Sequence, residues 1–509
     1  MKKGYGTINE ALEDHASAAP QRTAIYYDSR IIPYGALLEG VNRMGNVLKM
    51  KGIAAGERVV MALPDCPEFF YCFLGAMKAG AWPVPLNPAM HRETFEFVLK
   101  DTEAAALITI ADSQAAGAPS EHLKERMIVG GEEFQGLLEG ASPELAHAPF
   151  HEDDMAFMLY SSGSTGLPKG VPHRHSDILF TARTFGKHVA GFTADDISLS
   201  ASKLFFAYGL GNSLSFPLTY GASVVLYRDK ATPRELFRLI REYRPTLFFA
   251  VPSAYSMMLG IIDSSCTTDS LRSCFSAGEA LPAPLYHEWK KYTSLDILDG
   301  IGSTEALHIF ISNIKEKVVP GSSGYIIPGY EARIVDEKGR AVEPGQEGHL
   351  QVRGASTAPH YWNRPEKTAE TMGADGWLNT GDIFVEEGGC YRYQGRNDDM
   401  FKVDANWVSP LQIESTLKEH GAVLDCGVTW RTLGGLVKPV AFVVLKDRSS
   451  ASPALARELR SHVLAKLLDY MCPVQFEFVE DLPRTDTGKL QRFRLRELLP
   501  FPGTRSSDA

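Results

Sequence analysis

The chain has 509 residues, enough for about two to four domains and for several buried cores without disulfide or metal staples. Apolar residues make up 44% and charged residues 22%, close to soluble globular averages, which excludes wholesale disorder. Lysine and arginine number 52 against 62 aspartate and glutamate; the net charge of −10 argues against nucleic acid or an anionic membrane as the main partner, while local basic pockets for small anions stay open.

The start, MKKGYGTINEALEDH, has two lysines but no apolar core after them, so neither a signal peptide nor an export anchor is expected. Arg58 to Leu63 reads as a strand, Glu68 to Ala79 as a helix closed by Gly80, and Trp82 to Leu86 as the next extended piece. Strand, helix and strand at this spacing make a βαβ unit, so parallel sheet is expected. The polar stretch Asp112 to Ser120 reads as a loop. An apolar strand, Met155 to Leu159, leads into a glycine- and hydroxyl-rich segment. The alternation repeats with a strand from Ala222, a helix from Pro233 to Tyr243 and a strand from Leu247 to Val251. The longest apolar stretches, such as Thr246 to Leu259, contain proline and serine and fall short of a membrane span.

The texture changes after about Gly345. Gly348 to Arg353 alternates like an antiparallel strand, and glycine and aspartate turns follow closely at Gly376, Gly381, Gly388, Gly389 and Gly395. Beyond Arg396 come a helix from Pro410 to Glu419, strands near Val423 to Thr429 and Pro439 to Leu445, and a helix from Leu455 to Leu468. These set the expected division at a large N-terminal domain, 1–396, and a small C-terminal domain, 397–509. The seven scattered cysteines form no CxxC pair, which fits a reduced cytoplasm with thiols as small core residues.

The strongest local signal is Tyr160-Ser161-Ser162-Gly163-Ser164-Thr165-Gly166-Leu167-Pro168-Lys169-Gly170. Glycines let backbone amides approach an anion, and four hydroxyls and an ammonium add donors for phosphate oxygens. The frame is not that of a Walker A loop, because Pro168 and Gly170 occupy the wrong places. Further on come Ser276-Ala277-Gly278-Glu279, then Asp299-Gly300-Ile301-Gly302-Ser303-Thr304-Glu305, Thr380-Gly381-Asp382, Gly395-Arg396-Asn397-Asp398-Asp399 and Arg484-Thr485-Asp486-Thr487-Gly488-Lys489.

In this order the set resembles the adenylate-forming superfamily of acyl-CoA synthetases, peptide-synthetase adenylation domains and luciferases, over nearly the whole chain. The resemblance implies an α/β fold: a large N-terminal domain of mixed and parallel sheets sandwiched by helices, a small β-rich lobe, and a small mobile α+β C-terminal domain. It implies that Ser161, Ser162, Gly163, Ser164, Thr165, Gly166 and Lys169 cradle the β- and γ-phosphates. Gly278 and Glu279 would border adenine, with Asp299, Gly300, Ile301, Gly302, Ser303 and Thr304 completing the nucleotide contacts. Glu305 would associate with Mg²⁺, a hard cation that wants carboxylate oxygen and bridges phosphates. Asp382 would accept the ribose hydroxyls, and Arg396 would reach the nucleotide sugar. Lys489 would contact the α-phosphate and the carboxylate during adenylation, and Asp398 would be the hinge of the mobile domain. Catalysis is thereby expected of Lys489, Glu305, Thr165 and Lys169.

The segments Lys203 to Asn212, Gly302 to Phe310, Gly435 to Lys438 and Lys489 to Phe493 closely resemble the benzoate-CoA ligase branch. In that branch Ala207, Tyr208, Gly209, Gly302 and His308, with Pro252 and Tyr255 added, would wall a short flat acyl pocket suited to a six-carbon ring. The co-substrates implied are ATP, Mg²⁺, CoA and a small aromatic or cyclic carboxylic acid, in the cytoplasm, with a homodimer left open. Two rival readings stay open: an adenylating enzyme that loads an acyl-carrier protein, and a non-catalytic nucleotide sensor. One departure bears on the first of these. Asp404-Ala405 stands where the branch usually has Ser-Gly. His173-Arg174-His175 suggests a metal pair, but no further Cys or His stands at ligand spacing.

Overall fold

Strand Arg58–Ala62, helix Pro67–Ala79 and strand Trp82–Leu86 form where local sequence dictates them. Pro67 occupies the first helical turn, where its missing N–H costs nothing, and Gly80 takes the left-handed φ of 87° that ends the helix. Phe69, Phe70, Phe73, Leu74 and Met77 recur at helical spacing, and all are buried. The two strands pair in parallel, Arg58 opposite Trp82, as the βαβ reading requires. The computed structural model describes residues 4–161, 168–263, 266–397, 399–403, 406–433, 436–484 and 490–498.

The chain divides into two compact units. The first comprises 1–281, 285–332 and 352–379, and the second 282–284, 333–351 and 380–509. In the first, a nine-stranded sheet runs from edge to edge through Tyr325–Ile326, Ile309–Ser312, Ile297–Gly302, Ser273–Ser276, Leu247–Ala250, Ile197–Ser200, Ser223–Leu226, Thr23–Tyr27 and Arg30–Pro33. Its six central strands, Ile297–Gly302 to Thr23–Tyr27, are parallel and its outer pairings antiparallel. A second sheet, all parallel, takes the order Trp82–Leu86, Arg58–Ala62, Ala106–Ile110, Glu125–Val129. Parallel strands need crossovers, and helices such as Pro233–Tyr243 supply them. Leu247–Ala250 is buried at every position, the signature of a strand covered on both faces.

The second unit carries most of a four-stranded sheet in the order Tyr330–Val335, Gly348–Gly354, Leu378–Glu387, Cys390–Arg396, and the chain passes from unit to unit within the first three of these strands. It also holds a three-stranded sheet, Val423–Leu433, Leu436–Leu445 and Gln475–Phe478, packed by helices Pro410–Lys418 and Pro453–Leu464. The architecture is the expected one: a large α/β part with mixed and parallel sheets, a β-rich lobe and a small α+β part. Residue 396, the expected boundary, lies inside the second unit.

Several local expectations are corrected. Within Asp112 to Ser120 the chain winds into a 3₁₀ turn, Gln114–Gly117, because Ser113 Oγ accepts the Ala115 N–H at 3.2 Å while Ala115 and Ala118 bury against the parallel sheet. The helix expected over 455–468 runs instead over Pro453–Leu464, started by Ser452, whose Oγ accepts from Leu455 N. The strands near 423–429 and 439–445 are longer and form one antiparallel hairpin. Six of the seven cysteines are buried and Cys266 is half-buried; all are free.

Candidate active site

Strand Met155–Ser161 pairs antiparallel with Lys169–Arg174, Ser161 opposite Lys169. The glycine- and hydroxyl-rich segment therefore lies between two paired strands, and helix His175–Thr181 follows the second of them directly. Ser162, Gly163, Ser164, Thr165 and Gly166 lie outside the described residues. Ser161 Oγ is buried and has no hydrogen-bond partner among the described residues. Lys169 Nζ stands 4.6 Å from the ring centroid of Tyr361.

Ile297–Gly302 and Ile309–Ser312 form a second hairpin, and its turn carries Ser303, Thr304, Glu305 and His308. Gly302 is demanded by close approach: a Cβ there would meet the His308 carbonyl oxygen at 2.4 Å. The turn is held from several sides. Ser303 Oγ accepts from Ala306 N at 3.2 Å, and Ala358 N donates to the Glu305 carbonyl at 2.7 Å. Tyr361 Oη donates to Glu305 Oε1 at 2.7 Å. His173, with no exposed side-chain surface, puts Nε2 2.9 Å from the Thr304 carbonyl and Nδ1 3.2 Å from Asp177 Oδ2. A carbonyl oxygen only accepts, so Nε2 is the donor to Thr304. This histidine supports the turn and is committed to it; among the described residues no cluster of three or more His, Cys, Asp or Glu could hold a metal ion.

A ring cage lies against the same turn. His308 is buried, with Phe185 and Phe216 at centroid distances of 4.8 and 4.7 Å and Tyr208 at 5.5 Å. Its Nε2 meets Asn212 Oδ1 at 3.2 Å. Burial drives the imidazole down to about 3, so it is neutral at physiological pH. Tyr208 opens the short helix Ala207–Leu210 with Ala207, which packs on the first unit's core. At Gly209 a Cβ would strike the Lys203 carbonyl at 2.0 Å. Phe249 and Phe275 stack at 4.6 Å beside Tyr208. Pro252 begins helix Pro252–Leu259, but Tyr255 belongs to the aromatic core: it is fully buried, donates to the Phe275 carbonyl at 2.8 Å and packs on Phe248 and Trp289.

On the adjoining strands Ser276 pairs with Asp299, followed by Gly300 and Ile301, the latter opposite Ile311. Gly278 has φ 94°, and Glu279 is half-buried. Burial pushes the Asp299 carboxyl up to about 8. Among the described residues, Tyr208 Oη, Asn212 Nδ2, Ser276 Oγ, Asp299 Oδ1 and His308 Nδ1 are buried and make no well-formed hydrogen bond.

In the second unit Asp382 and Arg396 are cross-strand neighbours in an ion pair of 3.1 Å. Arg492 joins Glu414 at 2.7 Å and Asp399 at 2.8 Å. Asp398, Asp404, Ala405 and Lys489 lie outside the described residues.

Tyr361 was not named from sequence, Asn212 and Ser276 were named only as members of longer segments, and His173 only as a candidate metal ligand. Asn212 is four residues after Tyr208, which on a helix places the two on one face, a usable signal. His173 and Thr304 are 131 residues apart, and no local pattern joins them.

An α/β sheet, a glycine- and hydroxyl-rich segment between one pair of strands and a buttressed carboxylate beside a ring cage at another are what is expected of an adenylate-forming class of enzyme. The chain belongs to the AMP-binding enzyme family: that family's model matches residues 12–362, and the model of its C-terminal domain matches 412–489. It is 42% identical to a benzoate–CoA ligase of Thauera aromatica over 93% of this chain and 92% of that one. It is 39% identical to a 4-hydroxybenzoate–CoA/benzoate–CoA ligase of Rhodopseudomonas palustris, over 92% and 89%. Among solved structures it resembles an anthranilate CoA ligase, AuaEII, in complex with anthranoyl-AMP, with TM-score 0.93, 37% identity and 97% of both chains covered. A benzoate CoA ligase from Burkholderia xenovorans LB400 gives 0.90 and 38%, over 96% of this chain and 99% of that one.

Proposed function

We propose that this enzyme joins an aromatic or cyclic carboxylic acid to CoA in two steps. The acid first attacks the α-phosphorus of ATP, giving acyl-AMP and releasing pyrophosphate; the CoA thiolate then attacks the acyl carbon and AMP leaves. The observation that supports this best is that Glu305 and His308 share one turn, so a phosphate-side carboxylate and an acyl-side ring cage are fixed together.

No protein nucleophile is needed, and the residues act by positioning and charge. Lys169 and the loop from Ser161 to Gly166 hold the β- and γ-phosphates. Gly278, Glu279 and the run Asp299 to Thr304 line the adenine side, and Asp382 and Arg396 hold the ribose. Lys489 offsets the charge that builds as carboxylate meets triphosphate. A single carboxylate with substrate phosphates is the ligand set Mg²⁺ favours, and Glu305 with its anchored oxygen fits it. The cation would supply charge neutralisation across the phosphates. Ala207, Tyr208, Gly209, Gly302 and His308 wall the ring, and Asp398 is the hinge between domains 1–396 and 397–509. No helix among the described residues is long and apolar enough to cross a membrane; the cytoplasm suits an enzyme fed by ATP and CoA.

The test is a panel of benzoate, hydroxy- and aminobenzoates, cyclohexene carboxylate and short fatty acids, read by pyrophosphate release and then by CoA-dependent AMP release. Ring acids must lead. Best turnover of a fatty acid would refute the ring assignment, and AMP release that needs a carrier protein in place of CoA would favour the carrier-loading reading.

A further inference from the structure

Tyr361 touches two of the charged groups assigned to adenylation. Its hydroxyl donates to Glu305 Oε1 at 2.7 Å, and its ring centroid lies 4.6 Å from Lys169 Nζ. The ring is 3% exposed, so its place is set by packing, chiefly with Val171 and Ala358. The backbone around it is stitched to the same two strands' ends. Ala358 N donates to the Glu305 carbonyl at 2.7 Å, Tyr361 N to Thr368 Oγ1 at 2.9 Å, and Trp362 N to the Gly170 carbonyl at 2.9 Å. Gly170 follows Lys169 directly. Thus one short segment, 358–362, is tied to the Glu305 turn on one side and to the strand of Lys169 on the other.

We infer that Tyr361 is a positioning residue for adenylation, holding the Glu305 carboxylate and the Lys169 ammonium in register for the cation–triphosphate. This rests on the reading of Glu305 as the cation-associated carboxylate. With Oε1 held by the Tyr361 hydroxyl, the carboxylate is oriented so that its other oxygen can meet the cation. Without that donor, the carboxylate must be ordered at the moment of binding. Hydrogen bonds that orient ligating groups typically carry 10- to 100-fold in metal affinity. The aromatic face attracts the Lys169 ammonium electrostatically and fixes where it lies.

The test is binding of Mn·ATP to the full chain without any acid, read by electron paramagnetic resonance, with Mn²⁺ as the visible substitute for Mg²⁺. Tyr361→Phe keeps the ring and removes only the hydroxyl; it should weaken binding by about 10-fold or more. In a Glu305→Gln background the same change should add almost nothing, because Tyr361 acts through that carboxylate. Tyr361→Leu should weaken binding beyond Phe, and the extra loss should vanish when Lys169 is also replaced by alanine. Parent-like binding by Tyr361→Phe overturns the inference, and so does a full additive loss in the Glu305→Gln background. If Glu305→Gln itself binds like the parent, the cation role of Glu305 fails, and that outcome is distinct from a failure of Tyr361 alone. Should Tyr361→Phe not fold, 3-fluorotyrosine incorporated at 361 keeps the side chain; its ¹⁹F resonance must shift when Mg·ATP binds, and an unmoved resonance overturns the inference.

Discussion

Asp299 pairs with Ser276 across parallel strands and is 5% exposed. Burial raises its carboxyl from 3.8 to about 8. Between those values the folded chain binds a proton that the unfolded chain has lost. The group's contribution to stability therefore falls as pH rises from about 4 to about 8 and stays low above that. Asp299→Asn removes the cost, so its gain in unfolding midpoint over the parent should be larger at about pH 9 than at about pH 5. Equal gains at both would show that the carboxyl is not perturbed. Lys489, near the chain's end, has a separate expected effect. Lys489→Ala should cripple acyl-adenylate formation and spare thioester formation from supplied acyl-AMP, as single-turnover assays of each half-reaction would show. Equal loss in both would count against a role confined to adenylation.

The short helix Ala207–Leu210 is where the proposed pocket would gain its selectivity. Tyr208 lies against His308 and half-buried Ala207 packs beside it on the first unit's core, so on the proposed reading volume added at 207 competes with the ring acid. Ala207→Leu should overpack the ring cage at a cost of about 1–3 kcal/mol, or about 5- to 150-fold in kcat/KM for the ring acid, with ATP binding retained. Acetate or butyrate should lose far less. An unchanged rate on the ring acid would remove Ala207 from the pocket wall. Elements of this kind differ in how legible they are. Helix Pro67–Ala79 could be read directly, because a proline in its first turn and a glycine after its last are local signals. Gln114–Gly117 could not, because its alanines are held by a sheet to which polar sequence gives no pointer.

At the scale of the molecule, most of the sheet of 330–396 and the C-terminal α+β part fall in one unit, and Arg492 pairs there with Asp399. Rotation about residue 398 should carry Lys489 in and out of the adenylating arrangement. Asp398→Pro fixes φ near −65° and should spare adenylation while damaging transfer to CoA. Acyl-CoA formed at the parent rate would sink the hinge. The motifs from Ser161 to Lys489 were readable because each concentrates glycines, hydroxyls or charges in a few consecutive residues. What supports them was not readable: Tyr361 lies 56 residues from Glu305, and His173 lies 131 from Thr304.

The sequence alone determined the α/β class and the change of texture after Gly345, which depend on composition, periodicity and short-range steric rules and are local. The nucleotide motifs and the ring-suited residues around Tyr208 and His308 were expected from a family resemblance carried by short runs of residues. Tertiary structure alone decided that Tyr255 belongs to the core, that His173 is a buttress and not a metal ligand, and that Asn212 locks against His308. It alone decided that Tyr361 stands between Lys169 and Glu305. Those are outcomes of burial and of hydrogen-bond satisfaction between distant segments, and such pairings exist only once the sheets have brought the segments together.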